Sequence, residues 1–553
     1  MPLTPPTLMT CVTLATLSWA VCLPAQETSQ VGSLGRPKSS FAELSKSPQF
    51  VSDQNLTSDQ NPAPALEAVG IRSGVRGLEL GASLLEAEDP VRAWRAFLSI
   101  DAASPLGVDR SIGLGRSHLM LGHSGFATVY GEHALAAAPA RQDAMALTVR
   151  ALIKAREFDE AVRRSGAFSS RVGVLTADLL AARGSALFRV QRTADSARAY
   201  QQVVVLDNHH AEAHLRLGSG LLDPVKVVVQ QELRLAVAAL TAGNSDRAIK
   251  LLEQVLQEQA NHPIAHRLLG ETLYARRTLA SMAMQDEAFH RLSDALPQPH
   301  VAGLPIAEFV GGYEKLSSSR RLVVDRTAAL FRKQLGKLVT VGGSHDLLTE
   351  LERTTDDSAR SNLRGRRTFD GRVWDDVRGV GGMQAATGIE ALDEAATFGF
   401  DTFAHEVAHQ VHFFTFSPLQ RVRVRSLYRT AMREQRYLDY YAASNEAEYF
   451  AQGVEAYVSL AKRPGGETTH GHTRFELLRV DPELHNFIAE VVDFDPLADL
   501  ESAEKILAAS VAVAIRCGRC DDAVIAAGML VPGELRTQLL ADAQEARRAQ
   551  RSH

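Results

Sequence analysis

From about residue 66 to 296 apolar side chains recur at spacings of three and four, with Ala and Leu predominating. That is the period of amphipathic helices that each bury one stripe, and it predicts helix throughout. Part of the pattern repeats. The segment Ala197 to Gly218 parallels Ala248 to Gly270, both closing on Ala-His-x-x-Leu-Gly, and Ala93 to Gly122 is a looser copy. A helical hairpin cannot bury its apolar face alone, so such units stack on one another. A plain helical domain is the alternative reading.

After residue 300 the pattern changes. Phe, Tyr, Val and Gly become more frequent, and strand-like pieces occur at Arg321 to Val324 and Arg372 to Val380. Gly379, Gly381 and Gly382 precede Met383 to Leu392, which reads as a strand leading toward a helix. This predicts an α+β domain over 300–496, followed by an Ala-rich helical extension over 497–553. The repeated segments of 66–296 resemble a degenerate tetratricopeptide array, which implies a solenoid with a concave surface able to hold a peptide or a protein partner.

The first 26 residues contain no Lys, Arg, Asp or Glu, and an apolar run from Leu8 to Leu23 is followed by Pro24-Ala25-Gln26. This predicts a secretory signal over 1–26 cleaved near Ala25. A single membrane anchor competes with it, but the run is shorter than the roughly 20 residues a span needs. A secreted or periplasmic protein with no stable membrane span is therefore expected. Residues 27–65 are rich in Ser, Gln and Pro and read as a disordered linker.

Sixty Lys+Arg against 65 Asp+Glu give a formal charge of -5. Without a basic excess to neutralise phosphates, no nucleic-acid partner is expected. Of the four cysteines, only Cys517 and Cys520 would survive signal removal. In an oxidising compartment the pair could close a small disulfide, and a structural role is expected of it.

The central chemical feature is Thr402-Phe403-Ala404-His405-Glu406-Val407-Ala408-His409. Positions i and i+4 share one helix face, so His405 and His409 can present ring nitrogens to one cation. Neutral imidazole is a ligand of Zn²⁺, and catalytic zinc takes three protein ligands and a water. Glu406, beside the first histidine, is placed to act as general base. The competing reading is an ordinary helix with two surface histidines.

A third ligand in the metzincin pattern would need Gly at 412 and His at 415, where this chain has His412 and Thr415. The alternative is a carboxylate on a second helix. Asn445-Glu446-Ala447-Glu448-Tyr449-Phe450-Ala451 places Glu448 39 residues beyond His409, with Ser444 or Asn445 as N-cap. Glu446 and Glu448 point to nearly opposite sides, so only one can face the metal. Glu448 could instead complete a capping box with Asn445.

This run, lying after HExxH with a tyrosine seven residues before its second Glu, resembles the anthrax lethal factor family of gluzincin metallopeptidases. His472-Thr473-Arg474-Phe475-Glu476-Leu477, followed by Asp481-Pro482-Glu483-Leu484 and Phe487, resembles that family's last helical stretch. The resemblance covers roughly 390 to 490. It implies Glu448 as third zinc ligand and Tyr441 as the residue that stabilises the transition state. Where the family carries an acid that orients a zinc-bound histidine, this chain has Gln452, and Glu455 one turn later is the acid placed to compensate. Tyr440 competes with Tyr441 for that role or for core packing. His412 is expected near the site or at the surface, His470 and His472 in a solvated loop, and Glu390 and Asp393 at the surface.

The expectation is thus a mostly α chain: a tetratricopeptide-like solenoid over 66–296, a zincin-type domain over 300–496 and a helical extension over 497–553. It would be an exported zinc endopeptidase with one Zn²⁺ on His405, His409 and Glu448, acting on protein or peptide substrates through Glu406 and Tyr441. The rival expectation is a tetratricopeptide-type binding scaffold whose peptidase-like domain is inactive.

Overall fold

The computed structural model describes residues 63–228, 231–464 and 471–551, and of 63–72, 276–286 and 551 the backbone alone. The signal expected over 1–26, nearly all of the linker expected over 27–65, and His470 lie outside the described residues. Residues 63–553 form one compact unit, mostly helical, with one small sheet. No helix among the described residues is long and apolar enough to cross a membrane.

Between Ala63 and Ala295 helix follows helix, each packed on its neighbour in sequence except after Leu221, where Ala211–Leu221 packs on the long helix Pro263–Ala295 and not on the next helix. The turn residues Glu88, Gly122, Arg156 and Gln191 all have positive φ, between 54° and 81°. They recur every 34 or 35 residues, the length of a tetratricopeptide unit. Each lies two residues beyond a helix, where a left-handed residue stops the helix and turns the chain back. The chain therefore contains a helical repeat.

The period breaks after Gly218. The helix Ala211–Arg216 unwinds over Leu217–Leu221, where Gly220 takes φ 91°, and the next turn of this kind comes only at Gly243. The two Ala-His-x-x-Leu-Gly segments pack against each other here. A β-carbon on Gly218 would fall 2.3 Å from the backbone N of Arg267, and one on Gly270 would fall 2.6 Å from that of Leu215. Both positions must be Gly for the backbones to approach so closely. His214 and His266 meet between them, Nδ1 to Nδ1 at 2.8 Å.

The sheet has the order β1 (Val310–Gly311), β2 (Ser344–Leu348), β4 (Gln384–Gly388), β3 (Gly379–Val380). β1, β2 and β4 are parallel, and β3 runs antiparallel to β4 at the edge. The main core lies beneath it, joining Phe309, Val324 and Leu335 to Phe403, Val407 and Val411 and to Phe450, Val454 and Phe487. A second core packs Phe289 and Leu292 of the long helix Pro263–Ala295 onto Ile506, Val511 and Ala526 of the C-terminal helices. Those last helices also reach the start of the array: Arg516 pairs with Asp89 at 3.4 Å, and Gly518 sits against Leu121.

Three local expectations change. Arg321 to Val324 is not a strand but lies inside the helix Ser318–Leu330, capped by Ser317, with Val323 and Val324 turned into the core. Of Arg372 to Val380 only Gly379–Val380 is strand, because Trp374–Asp376 closes into a 3-10 turn. Met383 to Leu392 divides into β4 and the helix Glu390–Ala396.

Candidate metal centre

Two helices bring the chemistry together. The motif helix, Thr402–Phe414, begins where the Asp401 side chain accepts the Ala404 N–H at 2.9 Å. It is buried from Phe403 to His412, as a helix crossing a core requires. The glutamate helix, Glu446–Val458, begins where Asn445 Oδ1 accepts the N–H groups of Ala447 and Glu448, each at 3.0 Å. Asn445 is thus the cap, and the Glu448 side chain turns to the histidines instead of closing a capping box. Glu446 points the other way, onto Arg425 at 2.9 and 3.1 Å.

His405 Nε2, His409 Nε2 and Glu448 Oε2 form a nearly equilateral triangle. Its edges are 3.1 Å between the histidines, 3.1 Å from His405 to Glu448 and 3.3 Å from His409 to Glu448. Ligands about 2.05 Å from a tetrahedral zinc lie about 3.3 Å apart. Two imidazoles and a carboxylate are also the donor set that such an ion takes. The three can therefore hold one cation. Burial works against the charged Glu448, but His409 and His405 outweigh it and hold its carboxyl well below the ordinary range.

Glu406 projects beside this triangle. Burial pushes its pKa up, and its carboxylate makes no hydrogen bond among the described residues. β3 runs directly over it. A β-carbon on Gly379 would stand 2.6 Å from Glu406 Oε1, and one on Gly381 would stand 3.0 Å from His409 Cβ. The sheet edge at the site is therefore Gly379–Val380, since β4 is paired on both sides.

The two adjacent tyrosines separate. Tyr441 faces the centre, its ring 6.4 Å from that of His405 and 5.8 Å from Phe369; burial and then Glu448 raise its pKa well above the ordinary value. Tyr440 packs on the array, with Phe158 edge-on at 5.7 Å and the Arg189 guanidinium 4.5 Å above its ring. The hairpin that carries Phe369 and Arg372 is likewise braced by the array, through Val373 N–H to Gly220 O at 2.7 Å and Arg367 to Asp223 at 2.7 Å. Sequence reasoning missed Arg372, whose Nε donates to Asp370 at 2.9 Å. No motif marks it.

Several neighbours stand elsewhere than expected. His412 is buried against Phe413, Phe416 and Phe450, and burial lowers its pKa to about 4. Glu455 serves the N-terminus of the motif helix: it accepts the Asp401 N–H at 3.0 Å and pairs with buried Lys462. Gln452 is fully buried, one turn beyond Glu448. Glu390 is not a free surface acid, because Arg378 binds it through Nε at 2.9 Å and a terminal nitrogen at 2.8 Å. Asp393 does lie at the surface, as expected, and pairs there with Arg320 at 2.7 Å. His472 is no solvated loop group but lies between Asp439 and Glu476, 3.1 Å from each. Cys517 and Cys520 are buried, and no disulfide joins them.

No protein-family model matches the chain, and no curated protein matches it. Among solved structures it has a weak likeness to a MamA D159K mutant, with TM-score 0.22 and 14% identity over 34% of this chain and 98% of that one. A second MamA structure, AMB-1, gives TM-score 0.22 and 14% identity over 35% and 94%. A tetratricopeptide repeat protein from Parabacteroides merdae gives TM-score 0.23 and 14% identity over 47% and 86%. None of these three names a peptidase, and likeness at this level carries no argument about what the chain does.

Proposed function

We propose that the chain is a zinc-dependent peptidase of the gluzincin type, with a zincin-like region over 300–496 and the metal on His405, His409 and Glu448. The observation that carries the reading is the triangle of ligand atoms with edges of 3.1, 3.1 and 3.3 Å. Zinc held there would supply a Lewis acid that acidifies a water and polarises a carbonyl.

The chain's own residues do the rest. Glu406, buried and without a hydrogen bond among the described residues, accepts the proton of the attacking water and returns it to the leaving amine. The Tyr441 hydroxyl, kept protonated far above its ordinary pKa, donates to the oxygen that becomes negative as the carbonyl is attacked. The edge strand Gly379–Val380 offers backbone groups to an extended peptide, which would add as a further strand.

The test is the variant Glu406→Gln against a mixed peptide library. The wild type should cleave, and the variant should keep its metal and lose cleavage by at least about a thousandfold. Equal cleavage by both would end the mechanism.

A second reading, a helical-repeat scaffold that binds a protein partner without catalysis, is favoured by the repeat itself, with its turns 34 or 35 residues apart at Glu88, Gly122, Arg156 and Gln191. Under that reading wild type and Glu406→Gln would be equally inactive and would bind the same partner. Export through the N-terminal segment belongs to the proposal too, and detection of a mature chain starting near Gln26 would test it.

A further inference from the structure

A cavity of ≈ 130 Å³ lies apart from the proposed metal ligands. Its walls come from the end of the long helix, the helix Ser318–Leu330, the segment before the motif helix and the segment after the glutamate helix. Leu296, Val323, Leu330, Phe398, Leu460 and Pro496 make it apolar.

Three charged groups face it. Arg474 is committed: it binds Asp495 at 2.6 and 2.5 Å, and its guanidinium lies 4.0 Å from the Tyr457 ring. Asp401 holds the Ala404 N–H, and burial raises its pKa to about 6. Arg326 is different. Among the described residues it makes no hydrogen bond and no ion pair, and burial pulls its pKa below the ordinary value, with Asp401 opposing only at a distance. A guanidinium stays charged in a protein, so a partly buried one with no hydrogen-bonded counter-ion, facing only the more distant Asp401, is a costly feature that an anion would relieve.

We propose that this cavity binds a small monocarboxylate with an apolar body, its carboxylate on the Arg326 guanidinium and its body among Leu296, Val323, Phe398 and Leu460. The size sets the class. An apolar cavity of about 150 Å³ accepts a benzene ring, so ≈ 130 Å³ suits a six-carbon ring or a short acyl chain. Planar donors in a fork match a carboxylate, and the apolar walls select against small inorganic anions. The site does not depend on the peptidase reading. It does touch the same scaffold, since Asp401 caps the motif helix and Val458 and Ser459 end the glutamate helix.

The test uses the full chain with 4-fluorobenzoate, followed by fluorine NMR and calorimetry. One saturable site per chain is expected, with the uncharged 4-fluorobenzamide at least tenfold weaker. Arg326→Gln should weaken the acid at least tenfold. Ala396→Phe, which fills the cavity from its wall, should abolish binding; it also serves if Arg326→Gln fails to fold. A His405→Ala/His409→Ala variant should bind normally, which separates this site from carboxylate ligation at the metal centre. Equal affinity for acid and amide, unchanged binding in Arg326→Gln, loss of binding in the double histidine variant, or no saturable binding would each overturn the proposal.

Discussion

Gly379 and Glu406 approach so closely that a β-carbon on the glycine would stand 2.6 Å from the carboxylate oxygen. The strand backbone thus fixes one side of the proposed general base. Gly379→Ala should push that carboxylate aside and slow peptide hydrolysis by about a hundredfold, the cost of an ångström-scale misplacement. Metal content and helical circular dichroism should be unchanged. Unaltered kcat/KM in this variant would mean that the edge strand does not position Glu406.

Tyr441 and Tyr440 make a paired test, because they are adjacent in sequence but face different neighbours. Tyr441→Phe removes a hydroxyl beside the proposed metal centre and should lower kcat by about 10²–10³-fold with little change in KM. Tyr440→Phe removes the Arg189 contact to the hydroxyl and should change stability more than kcat. Steady-state kinetics beside thermal melts distinguish the two, and the reverse pattern would exchange their roles.

Glu455 and Lys462 are both nearly inaccessible, at 0% and 3% side-chain exposure, and they pair directly. Lys462 also donates to Gly399 O at 2.6 Å. Glu455→Ala would leave a buried ammonium unpaired and uncap the Asp401 N–H. It should cost about 3–5 kcal/mol of stability, read by urea denaturation. A loss below about 1 kcal/mol would mean that water replaces the carboxylate.

The pair of carboxylates around His472 gives a pH signature. Burial opposes its charged form, but Glu476 and Asp439 outweigh it and raise its pKa from 6.5 to about 9. A group with a raised folded pKa stabilises fully below its unfolded pKa, and that stability is lost as pH rises through the folded pKa. The contribution, about 3 kcal/mol, should therefore be complete below pH 6.5 and gone above about pH 9. His472→Gln should lower the melting temperature at pH 6 and leave it nearly equal to wild type at pH 10. A variant with the same deficit at both pH values would rule out this pairing.

The meeting of His405, His409 and Glu448 was legible because its signals are local. An i, i+4 histidine pair fixes its own geometry once the segment is helical, and Asn445 fixes the start of the second helix. The repeat was only half legible. Its side chains are degenerate, and the feature that recurs is a left-handed turn at Glu88, Gly122, Arg156 and Gln191. Only one of the four is Gly, so composition hid it. Arg321 to Val324 misled because its short apolar run suits a strand as well as the buried stripe of Ser318–Leu330. Glu390, Glu455 and His472 were misplaced because their partners Arg378, Lys462 and Asp439 are set by tertiary packing. Nothing in the sequence foretold the contact between Arg516 and Asp89, 427 residues apart.

The most direct measurement is the metal content of purified full-length chain, by mass spectrometry of the element, beside Glu448→Gln and the His405→Ala/His409→Ala variant. The account predicts one zinc per chain in the wild type, much less in Glu448→Gln, and no bound zinc in the double variant. A wild type without bound metal, or equal zinc in all three proteins, would contradict it.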